Sequence, residues 1–366
     1  MSFMFNIEMF PAAHGDCLWI EYGDSNAPHR VLIDGGTGPT YKKIRERIDS
    51  LPEDDRRFDL FVITHVDADH IEGSVRLLGD ENTGVKFDDV WFNGWRHLPA
   101  PEVDDRLGPV QGEFLTALIQ KHRLPWNTAF KQKAVVVPEG GSLPEVTLAG
   151  GMKVTLLSPT ARQLIRLRPQ WNKVVREAGL EPGVAKEALA ALAKNKRLQP
   201  DALGGPTIKV DALAKSAFDA DSAVANGSSI AFLAEFDGKR ALLTGDAFAP
   251  VLAGSIQRLL DARELDRLAI HAFKLPHHGS KSNISTDLLD MVRCKKYLFS
   301  TNGNIFNHPD PEGVARVIVH GGKGCSLLFN YKTEDNDMWA EKKLAAKYEY
   351  STVYPKEGDQ GLIVKL

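Results

Sequence analysis

The chain has 366 residues and a mass of 40.3 kDa, with 43% hydrophobic and 25% charged residues. That is the balance of a folded globular protein, and it excludes disorder and collagen-like structure. Forty-five Lys plus Arg stand against 48 Asp plus Glu, a net charge of −3, so global charge marks neither a nucleic-acid nor a membrane partner. No apolar run approaches the roughly 18 to 20 residues that a bilayer crossing needs, so no membrane insertion is expected. Residues 1–10 lack a basic region and a small-residue cleavage site. Cys17, Cys294 and Cys325 are an odd set without metal-type spacing, which fits buried thiols in a reducing compartment, and a cytoplasmic location is expected.

In chain order, Phe3, Phe5, Ile7 and Met9 alternate, Leu18, Ile20 and Tyr22 alternate, and residues 31–33 and 60–63 follow as short apolar runs, all strand signals. A basic helical stretch, 41–48, separates the last two before Pro52. Further strands are expected at 90–92, 134–137, 154–157, 230–236, 241–243, 269–275 and 297–299. Helices are expected at 112–121, 249–260 and 286–292. Interleaved helices and strands predict a mixed α/β (α+β) layered protein with helices covering sheets, taken as a single domain over 1–366.

One segment differs in composition. Residues 161–200 carry nine Lys or Arg against three Glu, a surplus of six positive charges. Trp171, Val174, Val175 and Ala178 share helical spacing, as do Ala185, Ala188, Leu189 and Leu192, with Gly179 and Pro182 between the sets. The pattern predicts a helical hairpin within a basic insert at 161–225. The insert is either a solvated basic face or a cap over an anionic substrate.

The chemistry concentrates in Thr64-His65-Val66-Asp67-Ala68-Asp69-His70, four metal-ligand types within six residues directly after an apolar strand. A tight loop there can aim His65 and Asp67 to one side and Asp69 and His70 to another, the way a chain builds adjacent metal positions. Three more clusters repeat the layout: Asp34 after 31–33, Asp246 after 241–245, and His277-His278-Gly279-Ser280 after 272–276. Rigid strands would bring such loops together at one end of the sheets. On extended backbone His277 and His278 point to opposite faces, so one is expected as a ligand and the other as a substrate-facing or supporting group.

The order Leu32-Ile33-Asp34-Gly35-Gly36, Thr64 to His70, Leu243-Thr244-Gly245-Asp246 and Leu275 to Ser280 resembles the metallo-β-lactamase superfamily. Asn226-Gly227-Ser228-Ser229, Pro276 to Ser280, Asn307-His308-Pro309 and the His14-Gly15-Asp16 turn are similar to the soluble hydrolase domain of ComEC-type DNA-uptake proteins. The resemblance spans about residues 5 to 320. It implies an αββα sandwich holding two divalent ions, Zn2+ or Mn2+, in the cleft between its sheets. His65 and Asp67 would hold the first, Asp69, His70 and His278 the second, and Asp246 would bridge them. Asp67 stands where many members have His, which makes Mn2+ as plausible as Zn2+. A third ligand for the first ion is expected from His97, the better placed of the two histidines between Asp69 and Asp246. Asp34 is expected to support a liganding imidazole rather than touch metal.

These residues predict hydrolysis by a metal-bound hydroxide with no nucleophilic side chain. Asp69 would orient the water, and His277 or His308 would stabilise or protonate the leaving oxygen. Asn226 and Ser280 are substrate-binding candidates; Ser280 lacks the strand-turn-helix context of a nucleophile. The leading expectation is a phosphodiesterase or nuclease acting on nucleic acid or another phosphodiester. The alternatives are a hydrolase of a small ester, lactone or thioester, and a non-catalytic metal-stabilised interaction module.

Overall fold

In a computed structural model, which describes residues 2–99, 110–192 and 210–366, two sheets carry the fold. The first has six strands in the order Leu362–Lys365, Phe3–Met9, Leu18–Asp24, His29–Ile33, Leu60–Val62 and Val90–Trp91. The second has eight, in the order Tyr350–Val353, Cys325–Phe329, Lys296–Phe299, Ala272–Lys274, Lys239–Leu243, Ala231–Phe236, Lys153–Ser158 and Glu145–Thr147.

The alternation in the first strands separates two environments. Ile7, Leu18, Ile20, Val31 and Ile33 pack with Val154, Phe232, Leu243 and Leu298 of the second sheet. Trp19, Leu32 and Phe61 turn the other way, onto helices α1 (Thr40–Asp49), α2 (Ala68–Gly79) and α3 (Val110–Lys121). The outer face of the second sheet, with Leu233, Leu242, Phe273 and Tyr297, is covered by residues of helices 249–263, 286–290 and 311–320. The architecture is therefore the expected αββα sandwich, since a sheet that is apolar on both faces needs cover on both.

Parallel pairing decides where the chemistry goes. His29–Ile33, Leu60–Val62 and Val90–Trp91 are mutually parallel neighbours, and so are Lys239–Leu243, Ala272–Lys274, Lys296–Phe299 and Cys325–Phe329. Their carboxyl ends, and the loops that follow them, emerge together within each sheet, the usual place for a site in such sheets.

Four features differ from the sequence reading. Residues 134–137 form no strand; Val137 makes one isolated bridge to Thr160, and the Asn93 amide pairs with both backbone groups of Val135 in place of a neighbouring strand. The run 269–275 splits, because Leu268–Ala269 pairs with Val292–Arg293 while Ala272–Lys274 joins the main sheet. Asp69 and His70 lie not in the tight loop after the strand but in the first turn of α2, where the Asp67 carbonyl accepts from the His70 and Ile71 amides. The C-terminal residues, outside the family resemblance, supply three strands, including the one that pairs with Phe3–Met9.

The hairpin of the insert is present as α4 (Ala161–Glu177) and α5 (Ala185–Leu192). Leu164, Leu167, Trp171, Val175 and Ala188 belong to the same buried cluster as Phe92 and Phe114. Glu113 of α3 pins it, accepting from Trp171 Nε1 at 2.5 Å and from the Gly183 amide at 2.8 Å. The hairpin is thus docked on α3 rather than free, while Arg162, Arg166 and Arg176 remain exposed. Lys194, Lys196 and Arg197, which contribute to the charge surplus, lie outside the described residues. The chain continues as α6 (Val210–Ala214) and α7 (Val224–Gly227), followed by α8 (Ala249–Arg263), α9 (Thr286–Asp290) and α10 (Pro311–His320). Among the described residues no helix is long and apolar enough to cross a membrane.

Candidate metal centre

Two close backbone approaches set the floor of the site. A Cβ on Gly15 would stand 1.8 Å from the Asp69 carbonyl oxygen, and one on Gly73 would stand 1.9 Å from that of Gly35. Only glycine lets the N-terminal turn and the Asp34 turn seat against α2 this tightly.

Four imidazoles meet at the Asp246 carboxylate, which is buried. Nε2 of His70 lies 3.4 Å from its Oδ1, and Nε2 of His65, His278 and His277 lie 3.8, 3.8 and 3.9 Å from its Oδ2. Each ring is held through its other nitrogen. His70 Nδ1 donates to Asp34 at 2.8 Å, and His278 Nδ1 to the Ser300 carbonyl at 2.8 Å. His65 Nδ1 lies 3.0 Å from Thr64 Oγ1 and 3.2 Å from Ser229 Oγ, and His277 Nδ1 donates to Asn283 Oδ1 at 3.0 Å. With Nδ1 committed, every Nε2 faces the centre, the arrangement by which supporting groups orient metal-binding imidazoles. Asp34 also accepts from the Thr64 amide and hydroxyl, both at 2.7 Å, so one carboxylate fixes both the ring and the loop.

The remaining acidic groups complete the set. Asp67 Oδ2 lies 3.5 Å from His65 Nε2, at the half-open mouth. Asp69 Oδ2 lies 3.4 Å from His278 Nε2 and 3.9 Å from His70 Nε2, and the two imidazole Nε2 atoms are 3.2 Å apart. Donors sharing one tetrahedral ion at about 2.1 Å stand roughly 3.4 Å from one another, so these separations suit a divalent cation. Among the described residues His65 Nε2 and Asp246 Oδ1 are buried with no hydrogen-bond partner. Unpaired buried polar atoms of this kind cost stability unless a ligand satisfies them, so the residues fit the implied ions.

Electrostatics follow from this crowding. Burial opposes charge at Asp246, but His70, His278 and His277 hold its carboxyl well below the ordinary range. Burial likewise opposes charge at His278, yet Asp16, Asp246 and Asp69 outweigh it and push that imidazole up to about 9. A metal must displace this proton. Because burial at His70 is likewise outweighed by the surrounding carboxylates, which hold it above its ordinary range as well, apparent Zn2+ affinity of the metal-free protein should rise by about tenfold per unit or more from pH 7 to 9. Stability shows the opposite slope: a raised imidazole stabilises the metal-free fold below about pH 6.5, and the contribution is lost as pH rises through about 9. Chelator competition and melting across this range test both, and a flat affinity profile would refute the assignment of His278.

Sequence-derived candidates separate into two groups. His65, Asp67, Asp69, His70, Asp246, His277 and His278 converge, and Asp34 supports His70. His97 does not join them. Its Nδ1 lies 3.2 Å from the Gly94 amide, its Nε2 lies 3.1 Å from Arg96 Nε, and its ring packs on Trp126. Burial and the Arg96 charge push it down to about 4, and a cation at that nitrogen would meet the guanidinium. The opposed faces expected for His277 and His278 are absent because both lie in left-handed backbone, at φ +47° and +54°, where strand alternation does not apply. Asn226 is buried, donating to Asp221 at 2.8 Å, and Ser280 is buried in the turn. His308 meets His277 edge to face, with ring centres 4.9 Å apart. Burial and the neighbouring imidazoles push it down to about 3, so at neutral pH it is a hydrogen-bonding group and not an imidazolium acid.

Asp16 has a larger part than the sequence indicated. Its Oδ1 lies 3.4 Å from His278 Nδ1 and its Oδ2 pairs with the buried Lys274 at 2.5 Å. Asp16, His70 and His278 form one group with ligand atoms within 4.8 Å of one another, and His65, His70 and Asp246 form another. The Gly15-Asp16 turn carried the available signal, but its proximity to Lys274 and His278, more than 250 residues along the chain, is a tertiary fact.

No family model matches the chain, and no curated protein matches it. Among solved structures, it is similar to the metallo-β-lactamase fold protein YhfI from Bacillus subtilis, with 11% identity, 100% of both chains covered and a TM-score of 0.41. It is also similar to a mutant of the CmlA β-hydroxylase, with 10% identity, 99% of this chain and 54% of that chain covered, and a TM-score of 0.40.

Beside the metal groups, the segment after Ser300 forms a wall. The Asn302 amide donates to the Ala13 carbonyl at 2.8 Å, and Ile305 and Phe306 are 40% and 55% exposed. Phe306 lies between the His14 and His308 rings, at 6.1 Å from each. The site thus joins a buried floor of His and Asp side chains that could hold a divalent cation to an accessible, partly apolar mouth.

Proposed function

We propose that the protein is a metal-dependent hydrolase of the metallo-β-lactamase type, acting on phosphodiesters, nucleic acid among them, in a reducing, cytoplasmic setting. The observation that carries this reading is the convergence of four Nε2 atoms on one buried carboxylate, each ring fixed through Nδ1. His65, Asp67 and Asp246 would hold one divalent ion, and Asp69, His70, His278 and Asp246 a second, Zn2+ or Mn2+. Such ions supply an activated water and a sink for charge developing on the scissile group.

The chain's own residues do the rest. Asp34, Ser300, Thr64 and Ser229 hold the rings in register, which is the supporting role that preserves metal affinity. His308, uncharged at the mouth, offers a hydrogen bond to the departing oxygen. The exposed Arg162 and Arg166 on α4, which packs against α7, support an anionic substrate, since phosphate contacts come from such cations. A second reading, hydrolysis of a small ester, lactone or thioester, is favoured by the apolar Ile305 and Phe306.

The test is hydrolysis of bis(p-nitrophenyl) phosphate with Mn2+ or Zn2+, beside an Asp69→Ala variant and a chelator control. Metal-dependent turnover lost in Asp69→Ala is expected. A metal-loaded protein that leaves this compound intact but cleaves p-nitrophenyl esters would transfer the assignment to the second reading.

A further inference from the structure

Among the described residues, the first proposed metal position has three assigned donors: His65, Asp67 and the shared Asp246. His97, the fourth expected from the sequence, is turned away. We propose that His277 completes this position, and that Asn283 and Asp221 are positioning residues that hold its ring there; the inference rests on the metal-dependent reading of the site.

Three observations carry it. First, the His277 amide donates to the Gly245 carbonyl at 3.1 Å, which ties the His277 turn directly to the turn bearing Asp246. Its left-handed backbone then aims Nε2 at Asp246 Oδ2, at 3.9 Å, matching the 3.8 Å of His65. Second, the orientation of the Asn283 amide is determined by its surroundings. Its Nδ2 donates to Asp221 Oδ2 at 3.0 Å and to the Asp246 carbonyl at 3.1 Å, which leaves Oδ1 to accept from His277 Nδ1. A carbonyl oxygen only accepts, so Nδ1 carries the proton and Nε2 keeps its lone pair toward the centre.

Third, Asp221 is itself held. It accepts from Asn226 Nδ2 at 2.8 Å and from the Ala223 amide at 2.8 Å, and its own amide donates to the Ser282 carbonyl at 3.0 Å. The segment just before it is clamped by the buried Arg316, which donates to Ser216 and Ala217 as well as to Lys281 and Ile284. A relay therefore runs from Asp221 through Asn283 to His277, built from residues on both sides of the metal loops. The buried Asn226, proposed from the sequence as substrate-binding, belongs to this relay.

Co2+ titration of the metal-free full-length protein, followed by visible absorption, tests the inference with His277→Gln, His97→Gln and Asp221→Asn. Two equivalents are expected for the wild type and for His97→Gln. In His277→Gln one equivalent should weaken by about a hundredfold or more while the other is kept. In Asp221→Asn the same equivalent should weaken by about ten- to hundredfold, the usual effect of losing a supporting group. A long-range 1H–15N spectrum of the metal-free protein at alkaline pH should show the neutral His277 ring with its proton on Nδ1 in the wild type and a larger share on Nε2 in Asp221→Asn, a change that mere loosening of the fold does not produce. Weakening in His97→Gln with two intact equivalents in His277→Gln overturns the proposal. A wild type that binds no Co2+ refutes instead the metal-dependent reading beneath it.

Discussion

Asp246→Ala will reduce metal-dependent turnover by about a thousandfold or more, roughly 4 kcal/mol of barrier. The size follows from position. Among the described residues Asp246 is the one carboxylate that all four imidazoles face, with Oδ1 toward His70 and Oδ2 toward His65, His277 and His278. Removing it would take a donor from both proposed metal positions at once, whereas loss of any single imidazole would take one from one. A second readout needs no substrate. With Zn2+ a hundredfold above its Kd, binding stabilises the fold by about 2.7 kcal/mol, which for a chain this long raises Tm by about 3 to 4 °C. That rise should vanish in the variant. Retention of turnover within tenfold of the wild type, still dependent on metal, would show that Asp246 is not the shared group.

Lys274→Met is expected to have the largest effect on stability, about 3 to 5 kcal/mol, or a fall in Tm of about 4 to 6 °C for the metal-free protein. Lys274 and Asp16 are both almost wholly buried, with Nζ 2.5 Å from Oδ2, and Nζ also donates to the Leu275 carbonyl at 2.9 Å. Burial opposes charge at Asp16, but Lys274 and then His278 hold its carboxyl far below the ordinary range. Without the ammonium, a charged carboxylate is left in the interior. The pH sign follows: a depressed carboxyl stabilises the fold at neutral pH and loses that contribution as pH falls, so the deficit of the variant should shrink in acid. The double variant Lys274→Met, Asp16→Leu should regain most of the lost stability, since an apolar pair of similar volume avoids the desolvation. A single variant that melts with the wild type would show that the pair is solvated.

Much of this protein is written locally. The alternation at Phe3, Phe5, Ile7 and Met9, and at Leu18, Ile20 and Tyr22, is a period-two signal that needs no knowledge of neighbours, and it names the strands and the face each side chain takes. The helical spacing of Trp171, Val174 and Val175 likewise marks α4. The metal-ligand types of Thr64 to His70 are legible for the same reason: they crowd into one short segment behind an apolar strand.

What required the tertiary structure is every relation between distant segments. Asp221 and Asn283 are single polar residues that nothing nearby in sequence marks, and the Gly15-Asp16 turn carries a motif without naming its partner; Asp16 meets His278, and Asp221 meets Asn283, only through packing of segments tens to hundreds of residues apart. His97 looked suitable because it follows a strand beside the site, yet Arg96 and Trp126 claim its ring. His277 and His278 were assigned to opposite faces by a rule for extended chains, and two left-handed residues bring both to the same carboxylate. Sequence determines types and periodicities, because these depend on the chain's own geometry. Which nitrogen carries a proton, and which carboxylate a ring meets, depends on contacts that exist only once the two sheets have closed on each other.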